Sequence, residues 1–278
     1  MNPRARAAAL TALAMTAFAA NSLLCRVALK ETTIDAATFT SIRIISGALA
    51  LGLIVRMRSG HAHGEGSWAS AFWLFAYAAG FSFAYITLTA GTGALLLFGA
   101  VQATMIGYGF WKGERLHGLQ WAGLALALAG LAGLLFPGIS APPPLGAALM
   151  LFAGFSWGLY SLRGRSGGDP TRVTAGNFLR AVPFAALVSL AAIPWYSMDI
   201  HGVIYAIASG AIASGVGYAI WYTALPLLRA ASAATVQLSV PVIAAAGGIL
   251  FLGETLTMRL VVASIAILGG IALVIRGR

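Results

Sequence analysis

The sequence predicts an all-α integral membrane protein in which ten helices cross the bilayer as two related halves. Three observations carry this prediction. The chain is 60% hydrophobic and only 9% charged, which leaves too few charges to cover the surface of a soluble domain. Its 278 residues divide into ten apolar runs, each of about the length that a bilayer requires. Matching residues also recur in the two halves at a nearly constant spacing.

The internal repeat is clearest between residues 85–116 and residues 222–256. Alanine and leucine matches arise easily by chance in so apolar a chain, but charged, tyrosine and glycine matches in the same order do not. At spacings of 140 and 137 residues, the matched pairs are Gly113 with Gly253, Glu114 with Glu254, Tyr85 with Tyr222, and Arg43 with Arg180. The pattern predicts one five-helix unit that is duplicated, with residues 1–138 as the first repeat and 139–278 as the second.

The predicted helices follow one another with short links that leave no room for a soluble domain. They cover about 7–28, 36–55, 68–88, 92–111, 117–136, 145–162, 173–193, 202–223, 232–252 and 258–275. The first run resembles a signal peptide. We keep it as a helix because its Phe18 and Arg26 match Phe155 and Arg163 in the helix that opens the second repeat.

The longest link, 56–67, carries His61 and His63. This pair could bind a metal, but no cysteine or third ligand lies nearby, so the sequence favours a solvated loop. No metal and no cofactor is expected anywhere in the chain.

Basic residues predict the orientation in the membrane. Twelve of them lie on one set of connections and about three on the other, and a cytoplasmic excess of Lys and Arg is the rule for membrane proteins. Both termini should therefore be cytoplasmic. The richer set holds Arg4, Arg6, Arg56, Arg58, Lys112, Arg115, Arg163, Arg165, Arg172, Arg229, Arg276 and Arg278. The net charge of +10 lies mainly in these links, which argues against nucleic-acid binding.

An odd number of helices in each repeat has a topological consequence. Two copies of a five-helix unit in one membrane point in opposite directions, so the fold is predicted to be an inverted repeat around a central cavity. This architecture is typical of transporters, because the two related arrangements open the site to one side or the other.

The predicted helix interiors contain no Asp or Glu, and the four His residues lie in loops or at helix ends. Proton-coupled carriers usually hold such a residue inside the membrane. The sequence therefore predicts transport without proton coupling. It also lacks the buried acid, metal cluster or Ser/His pair that an intramembrane enzyme would need, so no enzyme activity is expected.

Two arginines lie inside predicted helices, Arg43 and Arg180, about 12 Å from a helix end. A charge at that depth costs at least ~2.5 kcal/mol unless partners compensate it. One interpretation is a carboxylate contact or a gate, and the other is an arginine that bonds to backbone carbonyls or reaches the interface. We assign both to structure or gating, together with Pro241, Glu114 and Glu254.

Aromatic and amide side chains are the candidates for substrate binding. Tyr77, Phe81 and Tyr85 recur every four residues and so share a helix face. Buried Asn and Gln must find hydrogen-bond partners, either in other helices or in a cavity. The predicted substrate-binding residues are Asn21, Phe81, Tyr85, Gln102, Trp157, Tyr160, Tyr218, Tyr222, Gln237 and Ser239.

The second half resembles an EamA repeat of the drug/metabolite transporter superfamily. The residues that carry the resemblance are Tyr222 and Ala224, the small residues Ala230 to Ala234, Pro241, Gly253-Glu254 and Gly270. It implies ten helices, cytoplasmic termini and a cavity lined mainly by the first, third, fourth, sixth, eighth and ninth helices. Within the family the chain resembles YddG-type amino-acid exporters. One departure is that Val101 stands in the first half where Pro241 stands in the second.

These observations predict a bacterial inner-membrane carrier that exports small metabolites, most of all amino acids, by alternating access. Its expected partners are the small-molecule substrate and membrane lipids, and either a monomer or a homodimer is compatible with the sequence. Two alternatives stay open. One is a carrier for drugs or nucleotide-sugars, and the other is a membrane scaffold whose helices pack without a polar cavity.

Overall fold

The computed structural model describes residues 3–59, 65–113, 115, 117–138, 140–164, 169–228 and 230–276, and over these ranges its regular structure is helical without strands. The α-helices are α1 Pro3–Glu31, α2 Ala36–Ser59, α3 Trp68–Tyr85, α4 Ala90–Trp111, α5 Gly118–Leu135, α6 Pro144–Arg163, α7 Pro170–Ala191, α8 Ile200–Ile207, α9 Gly217–Ala224, α10 Ala230–Gln237, α11 Ser239–Leu252 and α12 Met258–Arg276. A π-helical segment, Ala208–Val216, joins α8 to α9.

Nine helical stretches of the described chain are long and apolar enough to cross a membrane. The all-helical membrane fold predicted from the sequence is therefore confirmed. Helix α3, which has 18 residues, lies outside this set. A tenth span and the inverted relation of the two repeats stay predictions.

Two of the predicted helices are interrupted. The span from 200 to 227 is regular only at its ends, because its centre forms a single π-helical stretch, a feature that often marks functional sites. The span from 230 to 252 breaks at Leu238, between α10 and α11. Pro241 explains this break, since its ring opposes the carbonyl of the fourth residue before it, Gln237, where α10 ends. In the first half, α4 runs unbroken through Val101.

The helices pack in close pairs, with α5 along α12, α3 and α4 along α6, and α2 along α7. Helix α1 runs through the centre, where it contacts α3, α4, α9, α10, α11 and the π-helical segment. Glycine allows the tightest approaches. A methyl group on Gly210 would lie 2.1 Å from the backbone oxygen of Arg43, so only glycine fits where the π-helical segment meets α2.

One end of the bundle is tied together by aspartates in the links. Asp35 caps α2 by accepting from the backbone N–H groups of Ala37 and Thr38, and its second oxygen accepts from Ser197. Burial raises the pKa of Asp35, but the hydrogen bonds from Thr38, Ser197 and Ala37 outweigh it and hold that pKa below its usual value. The link before α2 and the link before α8 are thereby fixed to each other.

Asp199 forms the second tie at this end. Its Oδ1 caps α8 through the N–H groups of His201 and Gly202, and its Oδ2 accepts from the N–H of Thr33, which precedes α2. The hydrogen bond from Gly202 is the largest cause that lowers the pKa of Asp199 to about 2.

Candidate functional site

A central cavity of about 390 Å³ lies among helices α1, α3, α4, α6, α7, α9 and α10. Eight of the ten residues that the sequence singled out for substrate binding line it. They are Asn21, Phe81, Gln102, Trp157, Tyr160, Tyr218, Tyr222 and Gln237. No acidic or histidine side chain is among the described residues of its wall. The cavity is therefore polar through its hydroxyl and amide groups and apolar through its rings.

The structure does not place Tyr85 or Ser239 on the cavity wall, which corrects their assignment. The hydroxyl of Tyr85 donates to the carbonyl of Ala90 at 3.3 Å, and its ring packs so closely on Gly93 that a Cβ there would lie 2.4 Å from Cε1. The hydroxyl of Ser239 donates to the carbonyl of Val236 at 2.7 Å, across the break between α10 and α11. The hydroxyl groups of both side chains therefore bond to nearby backbone carbonyls.

Trp157 of α6 is the centre of the aromatic wall. Its ring stacks on that of Tyr218 with centroids 5.4 Å apart and planes inclined by 16°. The ring centroids of Tyr77 and Tyr160 lie 4.8 and 5.2 Å from it. Aromatic pairs at these distances attract one another beyond their burial of area. The wall is therefore a continuous aromatic surface assembled from α3, α6 and α9.

Helix α7 adds polar groups that the sequence analysis missed. The hydroxyl of Tyr160 donates to Oγ1 of Thr174 at 3.3 Å, and Thr174 donates to the hydroxyl of Tyr222 at 3.1 Å. Asn177 donates to Tyr160 at 3.4 Å. A signal was present, because Thr171, Thr174 and Asn177 recur every third residue and so occupy one side of α7.

Arg43 of α2 lies behind the cavity wall and is only 2% exposed. Its Nη2 donates to the hydroxyl of Tyr77 at 3.0 Å, and its guanidinium lies 4.7 Å from the ring centroid of Phe81. Asn21 donates to the same hydroxyl of Tyr77 at 3.5 Å, and the amide oxygen of Asn21 accepts from Ser209 in the π-helical segment. Helices α1, α2 and α3 and the π-helical segment are therefore joined by one polar network.

Arg180 does not reproduce the surroundings of Arg43, although the two positions match in the repeat. It is half-buried, and its Nη1 donates to the carbonyl of Gly176, four residues earlier in the same helix. For Arg180, this contact agrees with the second interpretation given in the sequence analysis, in which the arginine bonds to backbone carbonyls. The two arginines therefore lie in different environments.

Glu254 lies at the end of the bundle where α1, α3 and α11 finish, which we call the Glu254 end. Its carboxylate pairs with Nε of Arg26 at 3.2 Å, and both its oxygens accept from the N–H of Ala90, the first residue of α4. Arg26 also donates to the carbonyls of Tyr85 and Ile86 at 2.9 and 3.0 Å. Because an anion at a helix N-terminus is favourable, one carboxylate stabilises both α4 and the arginine. Its repeat partner Glu114 lies outside the described residues.

The cavity extends away from the Glu254 end. Its wall reaches Gly164 at the end of α6, Pro170 at the start of α7 and Leu225 after α9, which together define the Gly164 end. Neither Arg26 nor Glu254 contributes to the wall. The wall of the cavity thus reaches one end of the bundle, and the Arg26–Glu254 pair lies toward the other end, outside the wall.

Potential metal ligands are scattered in the described part of the chain, where no group of three His, Cys, Asp or Glu residues comes together. The chemistry available at the cavity is thus hydrogen bonding and contact with aromatic faces.

Known proteins match the chain over its whole length. The model of the EamA-like transporter family matches residues 144–276. Uncharacterized protein PA1977 of Pseudomonas aeruginosa is 57% identical over 277 residues, which are 99% of this chain and 96% of that protein. The chain belongs to the EamA-like transporter family. It is therefore a multi-pass membrane protein of the drug/metabolite transporter superfamily, and this family indicates a transporter rather than an enzyme.

More distant EamA relatives have functional names. The probable amino-acid metabolite efflux pump of Escherichia coli K12 is 28% identical over 203 residues, which are 66% of this chain and 67% of that protein. The threonine/homoserine exporter RhtA of the same strain is 36% identical over 118 residues, 40% of this chain and 39% of that protein. One solved crystal structure shares the fold with a TM-score of 0.65 and 18% identity over 96% of each chain.

Proposed function

We propose that this EamA protein is a secondary transporter of the bacterial inner membrane that exports amino acids, neutral and aromatic ones included, by alternating access. The observation that carries the proposal is the cavity of about 390 Å³, whose wall reaches the Gly164 end while the largely buried Arg26–Glu254 pair ties elements together toward the opposite end. A carrier needs a site that faces one side at a time. The names of two distant relatives, an amino-acid metabolite efflux pump and a threonine/homoserine exporter, support the substrate class.

The chemistry of the cavity suits a zwitterion. An ammonium group is attracted to the faces of aromatic rings, and Trp157 and Tyr218 offer two of them. A carboxylate needs hydrogen-bond donors, which the amides of Asn21, Gln102 and Gln237 contain. Several weak contacts of this kind accept a range of side chains, because no single buried charge selects the ligand. This breadth agrees with the proposed YddG-like activity.

The topology completes the proposal. Two five-helix repeats, 1–138 and 139–278, would be related by inversion, so that the Arg26–Glu254 pair of one state would have its counterpart in Arg163 and Glu114 in the other. The excess of basic residues assigns the Gly164 end and both termini to the cytoplasm. An amino acid would then enter from the cytoplasm and leave when the Glu254 end opens.

Two alternatives fit the cavity less well. A nucleotide-sugar carries phosphates and would need basic groups around them, yet the described residues of the wall include no Lys or Arg. A membrane scaffold would pack its centre with side chains, and a cavity of about 390 Å³ leaves that centre open. Export of other small drugs or metabolites stays compatible with the aromatic wall.

Uptake by purified protein in liposomes tests the proposal. Each of the twenty amino acids would be offered as radiolabelled substrate to vesicles that contain the same unlabelled compound, with protein-free vesicles as the control. We expect saturable uptake of several neutral or aromatic amino acids. If a well-folded, correctly inserted protein moved none of the twenty, the proposed function would be wrong.

A further inference from the structure

The hydroxyl of Tyr77 lies where the polar network meets the cavity. Tyr77 and Asn21 both line the cavity, whereas Arg43 lies behind them. The oxygen of Tyr77 accepts from Nη2 of Arg43 at 3.0 Å and from Nδ2 of Asn21 at 3.5 Å. A phenol both donates and accepts, so these two bonds use its oxygen and leave its own proton to be donated elsewhere.

Within the described part of the chain, the hydroxyl proton of Tyr77 has no acceptor. The donor orientation of its neighbour is also fixed, because Ser209 donates to the amide oxygen of Asn21 and so turns the amide NH2 group toward Tyr77. The hydroxyl of Tyr77 and the second N–H of the Asn21 amide, whose first N–H is donated to Tyr77, are therefore two remaining donors of neighbouring groups at the cavity wall. Neighbouring donors match the two oxygens of a carboxylate.

Arg43 supplies a positive charge that no described acidic side chain compensates. The ion pairs of the described residues join Arg26 to Glu254, Lys30 to Glu31 and His201 to Asp199, and none involves Arg43. Its Nη1 is buried and has no hydrogen-bond partner among them. A charge in such a poorly polarisable environment acts over a longer range than in water, so the wall in front of it favours an anion.

We propose that Tyr77 and Asn21 form a subsite for the substrate carboxylate, with Arg43 as the positioning charge behind them. This inference rests on the proposed function and narrows its substrates to compounds with a carboxylate or a similar planar anion. The rings of Tyr77 and Phe81 cover the guanidinium, so the arginine acts through the phenol rather than by direct contact. A hydroxyl that accepts from a cation becomes a stronger donor in its turn.

The subsite also orients the substrate. The ring of Tyr77 lies 4.8 Å from that of Trp157, which stacks on Tyr218. A carboxylate at Tyr77 therefore puts the α-ammonium group, two bonds away, beside these aromatic faces. The side chain of the amino acid then extends along the cavity toward the Gly164 end, where the wall includes Val173 and Leu225.

Matched pairs of compounds test the carboxylate subsite. Phenylalanine and phenylalaninamide, and threonine and threoninamide, differ in the group that the subsite would bind, and at about pH 6 both members of each pair keep the α-ammonium group. Each compound would be measured for binding to the detergent-solubilised protein by calorimetry and for uptake into proteoliposomes. In the wild-type protein we expect the acid to bind at least about tenfold more tightly than the amide, the equivalent of ~1.4 kcal/mol.

Tyr77→Phe removes the donor and keeps the ring that packs on Phe81 and Trp157. We expect it to lower affinity for the acid about tenfold, to leave affinity for the amide nearly unchanged, and to raise KM for uptake more than it lowers kcat. Tyr108→Phe removes a hydroxyl from a tyrosine that does not line the cavity and should leave the ratio of acid to amide unchanged. Arg43→Gln should reduce the ratio in the same way as Tyr77→Phe.

The outcomes separate the subsite from the proposed function. Equal affinity for acid and amide in the wild-type protein, or an unchanged ratio in Tyr77→Phe, would overturn the subsite even if transport is observed. Selective binding of the acid without uptake would support the subsite and overturn the transporter. A folded protein that binds none of the four compounds would overturn the subsite, whereas the proposed function would be overturned only if none of the twenty amino acids were transported.

Discussion

At the scale of single residues, Trp157 has the most distinctive environment in the cavity. It contacts three tyrosine rings from α3, α6 and α9, and it is half-buried because one side faces the cavity. A ring that only filled a packed interface would leave a void when truncated, at a cost of about 3–5 kcal/mol. Truncation of a ring that lines an existing cavity costs less folding stability and more substrate binding.

Trp157→Ala should therefore reduce uptake at least tenfold and lower the melting temperature by only a few degrees. Trp111→Ala is the matched control, because this tryptophan of α4 is 77% exposed and lies away from the cavity. It should leave both quantities near their wild-type values. The measurements are initial uptake rates in proteoliposomes and thermal melting in detergent. A large fall in melting temperature for Trp157→Ala would assign the ring to packing instead.

The sequence predicted which side chains surround the cavity better than it predicted what they do. Aromatic spacing on α3 and α9 was enough to select Phe81, Tyr218 and Tyr222. It also selected Tyr85, because four-residue spacing cannot tell which turn of a helix faces a cavity and which packs on a neighbour such as Gly93. Arg43 differs from Arg180 only in its contacts with other helices. The repeat match of the two positions therefore could not predict that their environments differ.

At the scale of helices, the start of α4 depends on a carboxylate from another part of the chain. Glu254 follows Gly253, whose φ of +61° ends α11 in the left-handed region and turns the chain. The carboxylate of Glu254 then contacts both Ala90 and Arg26. The side chains of Arg26 and Glu254, which form the ion pair, are only 11% and 7% exposed, and Ala90 is fully buried. Removing one partner of a pair buried to this degree is strongly destabilising. We therefore expect the cluster to stabilise a state in which the Glu254 end is closed.

Glu254→Gln should weaken that closed state. The single cysteine of the chain provides the measurement, since Cys25 is fully buried and immediately precedes Arg26. We expect a thiol reagent to label Cys25 about tenfold faster in Glu254→Gln than in the wild-type protein. Glu31→Gln is the control, because its pair with Lys30 is exposed. Equal labelling rates in Glu254→Gln and wild type would mean that the pair does not hold this end closed.

The aspartates that cap α2 and α8 predict a dependence of stability on acid pH. The pKa of Asp35 is lowered, and that of Asp199 is lowered to about 2, below the ordinary value of ~3.9. A lowered pKa means that the stabilisation is complete above the unfolded value and is lost as pH falls through the folded one. The melting temperature should fall between about pH 4 and pH 2, and less steeply in Asp199→Asn. Identical profiles for the two proteins would contradict this role of Asp199.

The sequence located the helices but not their interruptions. Apolar runs and short links identified each span to within a few residues, because bilayer thickness fixes their length. The break at Leu238 lies three residues before the predicted breaker Pro241, since a proline disturbs the preceding turn. The π-helical segment had no signal of its own, because its geometry depends on the contact between Gly210 and α2. The share of α7 in the cavity was missed although its polar residues recur every third position, because spacing alone does not tell which neighbour that side of the helix faces.

At the scale of the whole molecule, the charged side chains that the structure describes lie outside the cavity wall. The described wall contains no Asp, Glu, His, Lys or Arg, and the one buried charge beside it, Arg43, keeps its proton at any physiological pH. A carrier without an acidic or histidine side chain at its site has no side chain there that changes charge near neutral pH to couple substrate movement to protons. Exchange or facilitated diffusion is then the expected mode.

Uptake should therefore be the same, within about twofold, with and without an imposed pH difference across the proteoliposome membrane. Valinomycin and potassium would be used to hold the membrane potential at zero in both cases. Strict dependence on the pH gradient would indicate that an acidic residue such as Glu254 or Glu114 takes part in transport.

Trans-stimulation is the measurement that tests alternating access most directly. Proteoliposomes would be loaded with an unlabelled amino acid that the protein accepts, and uptake of the labelled compound would be compared with that of empty vesicles. A site that faces one side at a time returns faster when substrate is present on the far side, so we expect loading to accelerate uptake at least severalfold. Equal uptake by loaded and empty vesicles, rising linearly with concentration without saturation, would contradict a carrier and indicate an open pore.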